Sequence, residues 1–130
     1  ILVIYDSLIG LEVPMNVSKD LIAASATPLI LALLKQQDSY GYEIIKHIRE
    51  ISDDKLVWTE GMLYPVLHRL DKNGFVESYW KKSSTGRKRK YYRLQKAGAA
   101  ELENHKQQWE LVYSVLSKVI NSERRANPDV

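Results

Sequence analysis

The sequence contains no cysteine, and this absence removes several classes of structure at once. Without thiols the chain cannot form disulfide bonds, thiolate zinc sites or a cysteine nucleophile. Small disulfide-stabilised secreted folds are therefore excluded, and a reducing, cytoplasmic location is expected.

Long hydrophobic runs are also missing. The longest unbroken apolar stretch extends from Pro28 to Leu34, far short of the roughly 20 residues that cross a bilayer. We expect a soluble protein with no membrane partner. A chain of 130 residues is long enough to bury one hydrophobic core.

Residues that carry chemistry are too scattered to suggest catalysis. The three histidines, His47, His68 and His105, fall on different predicted elements and form no ligand cluster. No nucleophile with an adjacent base, and no carboxylate pair, can be assembled from the sequence. We therefore predict neither an enzyme nor a bound metal or other cofactor.

Residues 1–14 contain no Lys or Arg and lead directly into Met15. A secretory signal has a basic leader and small residues at its cleavage site, and both are missing here. We interpret the segment as an upstream extension, with Met15 as the natural start. The alternative is a native strand or helix that packs on a partner chain.

Positive charge is concentrated in one strip, residues 81–93, which holds seven of the 19 Lys and Arg and no acidic residue. The rest of the chain contains all 16 Asp and Glu and is net negative. A mildly acidic body with one dense basic strip is the charge distribution of a protein that presents a single face to a polyanion.

The first half of the chain has helical periodicity. Apolar residues between positions 19 and 37 indicate helix, and Thr27-Pro28 interrupts them, so we expect either two short helices or one that bends at Pro28. A second amphipathic helix is predicted from about Tyr40 to Ser52, with Asp38 and Ser39 as candidate caps. Its apolar stripe consists of Tyr42, Ile44, Ile45, Ile48 and Ile51.

A third helix is predicted to begin at Thr59 or Glu60 and to end at Gly74, because threonine can cap a helix and glycine can end it. Its buried face consists of Leu63, Leu67 and Leu70, with Val66 beside them. The opposite face carries no long charged side chain, which is unusual for a helix surface in water. That face consists of Gly61, Tyr64, Pro65 and His68.

After Gly74 the sequence alternates and is rich in aromatic residues, which predicts a β-hairpin with strands near residues 75–81 and 89–94. The tip and the return strand carry the basic strip. Tyr91 and Tyr92 point to opposite faces of their strand, so at most one of them faces a nucleic acid and the other belongs to the core.

The last helix has apolar positions separated alternately by three and four residues, the rhythm of a coiled-coil seam. The seam consists of Leu102, His105, Trp109, Val112, Leu116 and Val119. It is short for an autonomous coiled coil, so we expect the helix to cross its copy in a homodimer, assisted by the first helix. Alternatively, the seam packs back on its own domain.

Together these elements predict a mainly α fold with a small β-hairpin. We expect a winged helix-turn-helix in residues 15–95, a C-terminal dimerisation helix in residues 96–122 and a tail in residues 123–130. A helix of about 10–12 Å diameter fits the major groove of DNA, which is about 12 Å wide, and the hairpin brings cations to the neighbouring backbone.

Several residues of this arrangement are candidate DNA contacts. Gly61 lets the start of the third helix approach phosphates, while Tyr64 and His68 reach base edges or the backbone. Cations of the hairpin supply attraction that does not depend on sequence. They are Lys81, Lys82, Arg87, Lys88, Arg89 and Lys90.

Two segments, GMLYPVLHRLDKNGFVESYW and GRKRKYYRLQKAG, resemble the PadR family of bacterial transcriptional regulators. That family carries a G-T-L-Y-P-x-L-x-R-L-E-x-x-G-x-I recognition helix and a G-R-x-R-K-Y-Y-x-L-T-x-x-G wing. The upstream segment LALLKQQDSYGYEIIKHI is similar to the first two helices of the family. The resemblance covers about Leu29 to Gly98, and motifs of this length are specific.

The resemblance implies a homodimeric repressor that binds a palindromic operator in double-stranded DNA, with the C-terminal helices forming the dimer interface. Tyr40 or Tyr42, Tyr64, Pro65 and Arg87 to Lys90 match family positions at or near DNA. We add Thr59 and Met62 to this predicted face. Met62 stands where threonine is usual and His68 where arginine is common, and both departures bear on base preference.

The short C-terminal part resembles the subfamily that includes multidrug-sensing regulators, in which a tryptophan of the last helix stacks on aromatic drugs. Trp109 stands at the matching distance from YYRL, which implies an aromatic small-molecule effector. Leu21 and Tyr113 are further candidate contacts, and simple dimer packing is the alternative.

A different class of function also fits the basic hairpin. In this alternative the chain is a winged-helix protein–protein interaction module that uses its basic wing to bind an acidic partner and needs no operator.

Overall fold

The computed structural model describes residues 5–6, 11–12 and 16–125. Of the predicted extension, residues 1–14, the structure describes only two short antiparallel strands, β1 (Tyr5–Asp6) and β2 (Leu11–Glu12). Met15 lies outside the described residues. Residues 126–130 of the predicted tail also lie outside them. Within the described ranges, no helix is both long and apolar enough to cross a membrane.

The first helix, α1, spans Lys19–Gln36. Ser18 caps it, since its side-chain oxygen accepts a hydrogen bond from the backbone N–H of Leu21 at 3.2 Å. The helix continues through Pro28, so the structure has one helix here rather than two. Its core side chains include Ile30 and Leu31, which are fully buried.

The second helix, α2, spans Gly41–Ile51, and two details of its prediction are wrong. Its cap position is Tyr40, which makes no side-chain cap bond, rather than Asp38 or Ser39. Its buried residues are Gly41, Ile44 and Ile48, and the ends of the predicted stripe lie outside them. Tyr42 lies about 140° around the helix axis from the buried Ile44 and Ile48, and Ile51 is the last residue of the helix, which is why both are exposed.

The third helix, α3, spans Glu60–Lys72 and follows its prediction closely. The Thr59 side chain accepts a hydrogen bond from the backbone N–H of Met62 at 3.2 Å, and Gly74 adopts a φ of 76° just beyond the helix end. The predicted buried face is confirmed. It consists of Leu63, Leu67 and Leu70.

The predicted hairpin is present as β4 (Val76–Lys82) and β5 (Lys88–Leu94). A third strand, β3 (Ser39–Tyr40), was not predicted, and it pairs antiparallel with β5 so that the sheet order is β3-β5-β4. It ties the segment before α2 to the hairpin. The buried tyrosine of the adjacent pair is Tyr92.

The last helix, α4, spans Lys96–Asn121. Its first turns pack on the domain, because Gly98 lies against the backbone of Phe75 and Leu102 packs against the core. The core joins α1, α2, α3 and the sheet. The chain is therefore mainly helical with a small antiparallel sheet, which confirms the predicted winged-helix fold.

Candidate nucleic-acid interface

The face of α3 opposite its buried leucines is open to solvent. Its residues Gly61, Tyr64, Pro65 and His68 are exposed, as their helical spacing predicts. Pro65 lies inside the helix, where its lack of an N–H leaves one helical hydrogen bond unmade. Met62 is half-buried against the core, so it does not share the open face with the others.

The wing, defined here as β4, β5 and the turn between them, has two distinct faces. Strand register places Ser78 opposite Tyr92, Trp80 opposite Lys90 and Lys82 opposite Lys88. These residues share the side of the sheet that holds buried Val76 and Tyr92. The Ser78 hydroxyl also donates to Asp71 of α3 at 2.9 Å, so this is the side that faces α3.

A cleft of about 540 Å³ lies between α3 and the wing. It collects residues from the start of α2, from α3 and from both strands of the wing. Its lining consists of Tyr40, Gly41, Tyr42, Glu60, Tyr64, Trp80, Arg87, Lys88, Arg89 and Lys90. The lining therefore combines four cations and a single acid with four aromatic rings.

The cleft unites some of the predicted DNA contacts and not others. It brings together seven of them, Tyr40, Tyr42, Tyr64, Arg87, Lys88, Arg89 and Lys90. The remaining seven lie outside its lining: Thr59, Gly61, Met62, Pro65, His68, Lys81 and Lys82. Gly61, Pro65 and His68 nonetheless share the exposed face of α3 with Tyr64.

Three lining residues were not predicted: Gly41, Glu60 and Trp80. A signal for Trp80 was present in the sequence, because alternation from the apolar Val76 puts it on the face of Lys82. Glu60 belongs to the first turn of α3, where a carboxylate is favoured by the positive end of the helix. Gly41 has no side chain whose pattern could have revealed its position.

Gly41 explains how Tyr64 is placed. A Cβ atom built on Gly41 would overlap the Tyr64 hydroxyl and approach the ring atom Cζ to 2.7 Å. The tyrosine ring therefore lies directly on the start of α2, in the space that any other residue would fill. This contact joins the exposed face of α3 to the start of α2 within the lining of the cleft.

An aromatic row on the other face of the sheet positions Arg89. The guanidinium carbon of Arg89 lies 4.3 Å from the centre of the Tyr40 ring, within cation–π range. Tyr40 meets Tyr91 edge-on at 5.3 Å, and Tyr91 stacks on Tyr79 at 5.7 Å. Since Tyr40 belongs to β3, the unpredicted strand supports a cation of the cleft.

Asp38 anchors the far end of this row. It accepts hydrogen bonds from the Tyr79 hydroxyl at 2.6 Å and from Arg93 Nε at 3.4 Å. The hydrogen bond to Asp38, followed by desolvation, raises the pKa of Tyr79 above its ordinary value of 10.0. Burial likewise raises the pKa of Tyr92, so both phenols are neutral at physiological pH.

The predicted seam of α4 divides into two parts. Leu102 and His105 are half-buried, and Leu102 packs on its own core. From Trp109 onward the seam is exposed, with 61% of Val112, 52% of Leu116 and 66% of Val119 accessible. The candidate effector contacts Leu21 and Tyr113 are exposed too. No cluster of His, Asp and Glu suited to a metal ion occurs among the residues that the structure describes.

Comparison with known proteins identifies the family. The sequence model of the transcriptional regulator PadR-like family matches residues 30–104, more than half of the chain. The chain belongs to this family. PadR-like proteins are DNA-binding transcriptional regulators, which confirms both the resemblance and the prediction that the chain is not an enzyme.

Individual relatives agree with this assignment. An uncharacterized protein of Lysinibacillus sphaericus is 35% identical over 100 residues, which cover 77% of this chain and 92% of the relative. The structure of a transcriptional regulator from Clostridium thermocellum has a TM-score of 0.71 and 38% identity, covering 77% of this chain and 97% of that one. A PadR-like regulator from Bacillus cereus has a TM-score of 0.71 and 30% identity, covering 81% and 100%.

Proposed function

We propose that the protein is a homodimeric repressor that binds a palindromic DNA operator through α3 and the wing. The observation that carries this proposal is the cleft, in which four cations of the wing lie beside the exposed face of α3. In this arrangement α3 enters the major groove and the wing contacts the adjoining phosphates. Tyr64 and His68 are then the side chains placed to read base edges.

Charge supports a localised contact with DNA. Outside the basic strip the chain is net negative, so phosphates are attracted to the wing and repelled elsewhere. Glu60 is the only acid in the lining of the cleft. A carboxylate there disfavours phosphate and accepts a hydrogen bond from the amino group of cytosine, so it favours selectivity over affinity.

The test is the salt dependence of DNA binding in a variant with Arg87→Ala, Lys88→Ala and Arg89→Ala. We expect weaker binding to all DNA sequences and a salt slope flatter by roughly 0.9 per lost phosphate contact. Fluorescence anisotropy with the duplex upstream of the protein's own reading frame, and with an unrelated duplex, measures both quantities.

The matched control removes three cations that do not line the cleft, through Lys19→Ala, Lys35→Ala and Lys106→Ala. It changes the net charge by the same amount and is expected to keep the wild-type slope. An unchanged slope in the wing variant would remove the wing from the DNA interface.

The homodimer is supported by the exposed second half of α4. Apolar side chains on the seam from Trp109 to Val119 are open to solvent, and an apolar surface of this kind is normally covered by a partner. A two-fold dimer would cover it with the same surface of a second copy. Two recognition helices related by that axis read two half-sites, which is why the proposed operator is palindromic.

The effector is proposed to bind between the paired α4 helices. Trp109 exposes 38% of its surface on the seam, and a tryptophan near the two-fold axis offers a flat apolar face to an aromatic molecule. Leu21 and Tyr113 are exposed candidates for the surrounding wall. Such a ligand releases DNA only as far as it prefers one dimer geometry over another.

A further inference from the structure

Trp80 is the largest exposed side chain of the wing, and none of the roles above uses it. It leaves 66% of its surface in water, whereas an indole in a folded chain is ordinarily highly buried. The exposed tyrosines Tyr42 of α2 and Tyr64 of α3 line the same cleft and are already among the predicted DNA contacts. Covering an apolar surface as large as the indole with a binding partner would be favourable, because it removes that surface from water.

The residues around Trp80 indicate what kind of molecule covers it. It lies in β4 directly across from Lys90, with the pair Lys82 and Lys88 next along the same face. It also lines the cleft, as do Glu60 and Tyr64 of α3. Its indole is therefore an apolar surface set among lysines at the place where a DNA strand would pass.

A nucleic-acid strand presents a matching pattern. Its phosphates are charged, but the sugars between them expose carbon and hydrogen, so a lysine and an aromatic ring suit successive parts of the same backbone. Removing an indole and a sugar from water is favourable in proportion to the apolar area buried. Because no counterion is displaced, such a contact adds affinity that does not vary with salt.

We propose that the Trp80 indole packs on a deoxyribose of the strand that enters the cleft, while Lys88 and Lys90 bind the flanking phosphates. Trp80 is then a DNA-contacting residue that sets the register of the wing along the backbone. This inference rests on the proposed function, since it requires that DNA occupy the cleft.

The first experiment compares Trp80→Ala with Lys90→Ala, its neighbour across the strands. Anisotropy with the upstream duplex and an unrelated duplex, over a series of salt concentrations, gives the Kd and the salt slope. For Trp80→Ala we expect about a tenfold rise in Kd on both duplexes with the wild-type slope. For Lys90→Ala we expect a slope flatter by about 0.9.

The second experiment observes the ring itself. The protein is labelled with 5-fluorotryptophan, and the fluorine signal of Trp80 is assigned by its loss in Trp80→Tyr. We expect saturating duplex to shift this signal while the signal of Trp58, which is only 3% exposed in the core, stays in place. Trp80→Tyr keeps an aromatic ring and is expected to retain most of the affinity.

The outcomes distinguish a failure of the proposed Trp80 contact from a failure of the proposed DNA-binding function. A wild-type Kd in Trp80→Ala, a slope that falls as in Lys90→Ala, or an unmoved Trp80 signal at saturation each overturns the role of Trp80 while the DNA site stands. Failure of the wild-type protein to bind either duplex overturns the proposed function as well. Thermal unfolding of Trp80→Ala at the wild-type temperature shows that a loss of binding is not a loss of fold.

Discussion

At Gly41 and Gly98 other parts of the chain approach so closely that a side chain would not fit without a shift. A Cβ atom on Gly98 would overlap the carbonyl oxygen of Phe75, which also accepts a hydrogen bond from the N–H of Gln95 at 3.0 Å. A Cβ atom on Gly41 would instead overlap the outer end of the Tyr64 ring. Backbone cannot move aside cheaply but a side chain can, so the two positions differ in their tolerance of alanine.

We expect Gly98→Ala to lower the free energy of unfolding by about 1–3 kcal/mol, because α4 has to shift away from the sheet. Gly41→Ala is expected to change stability by less than about 1 kcal/mol, since alanine also favours helix. It should weaken DNA binding, because the displaced Tyr64 no longer occupies the wall of the cleft. Urea unfolding and anisotropy measure the two effects. Equal destabilisation by both substitutions, or wild-type affinity in Gly41→Ala, would contradict this account.

At this scale the sequence predicted which side chains are exposed better than which of them meet. The spacing of Tyr64 and His68 placed both on the open face of α3, and alternation required one of Tyr91 and Tyr92 to lie in the core without saying which; it is Tyr92. Helical and strand periods are local properties, whereas the cleft joins residues far apart in sequence. Alternation placed Trp80 on the face of Lys82, but only the approach of α3 to the wing shows that Trp80 and Glu60 line the same cleft.

Among the elements, the two-residue strand β3 is the one that attaches the segment before α2 to the wing. Two residues, Ser39 and Tyr40, pair with Tyr92 and Tyr91 of β5, and Asp38 just before them binds Tyr79 and Arg93. These contacts fasten the connection between α1 and α2 to the base of the wing. A strand of two residues has no periodicity, which is why the sequence predicted a two-stranded hairpin rather than a three-stranded sheet.

The bond between Asp38 and Tyr79 predicts how stability depends on pH. The raised pKa of Tyr79 means that folding favours the neutral phenol, so its contribution is present below pH 10 and is lost as the pH rises through the raised value. We expect Tyr79→Phe to be about 1 kcal/mol less stable at pH 7 and to lose less stability than the wild type above pH 10. Tyr92 has the same sign, so part of the alkaline loss remains.

Urea unfolding between pH 7 and 11 measures this difference. Tyr42→Phe removes an exposed hydroxyl and is the matched control, expected to keep the wild-type stability at pH 7. Parallel pH curves for the wild type and Tyr79→Phe would show that folding does not favour the neutral form of Tyr79.

At the scale of the whole molecule, the exposed second half of α4 is the proposed dimer interface. We expect Val112→Glu combined with Leu116→Glu to yield a folded monomer, because each copy would bring buried charge to the proposed interface. Size-exclusion chromatography with light scattering measures the mass, and circular dichroism verifies the fold. DNA affinity should fall as well, because a monomer engages one half-site. If an aromatic ligand binds between the helices, its quenching of Trp109 fluorescence should also be lost.

The matched control places two glutamates on the other side of the same helix, through Gln107→Glu and Ser114→Glu. Both positions are exposed and lie about half a turn from the seam, so the control should keep the mass of the wild type. A dimer that survives in Val112→Glu with Leu116→Glu would place the interface elsewhere.

The packing of α4 at only one of its ends makes it a lever. Its start is fixed by Gly98 against Phe75, and Trp109 lies 11 residues further along, a distance of about 16 Å. In the proposed dimer, a tilt of about 10° at the tryptophans would therefore move each DNA-binding domain by about 3 Å. Half-sites repeat with the rigid period of the double helix, so a displacement of that size is enough to spoil the fit of one recognition helix while the other stays bound.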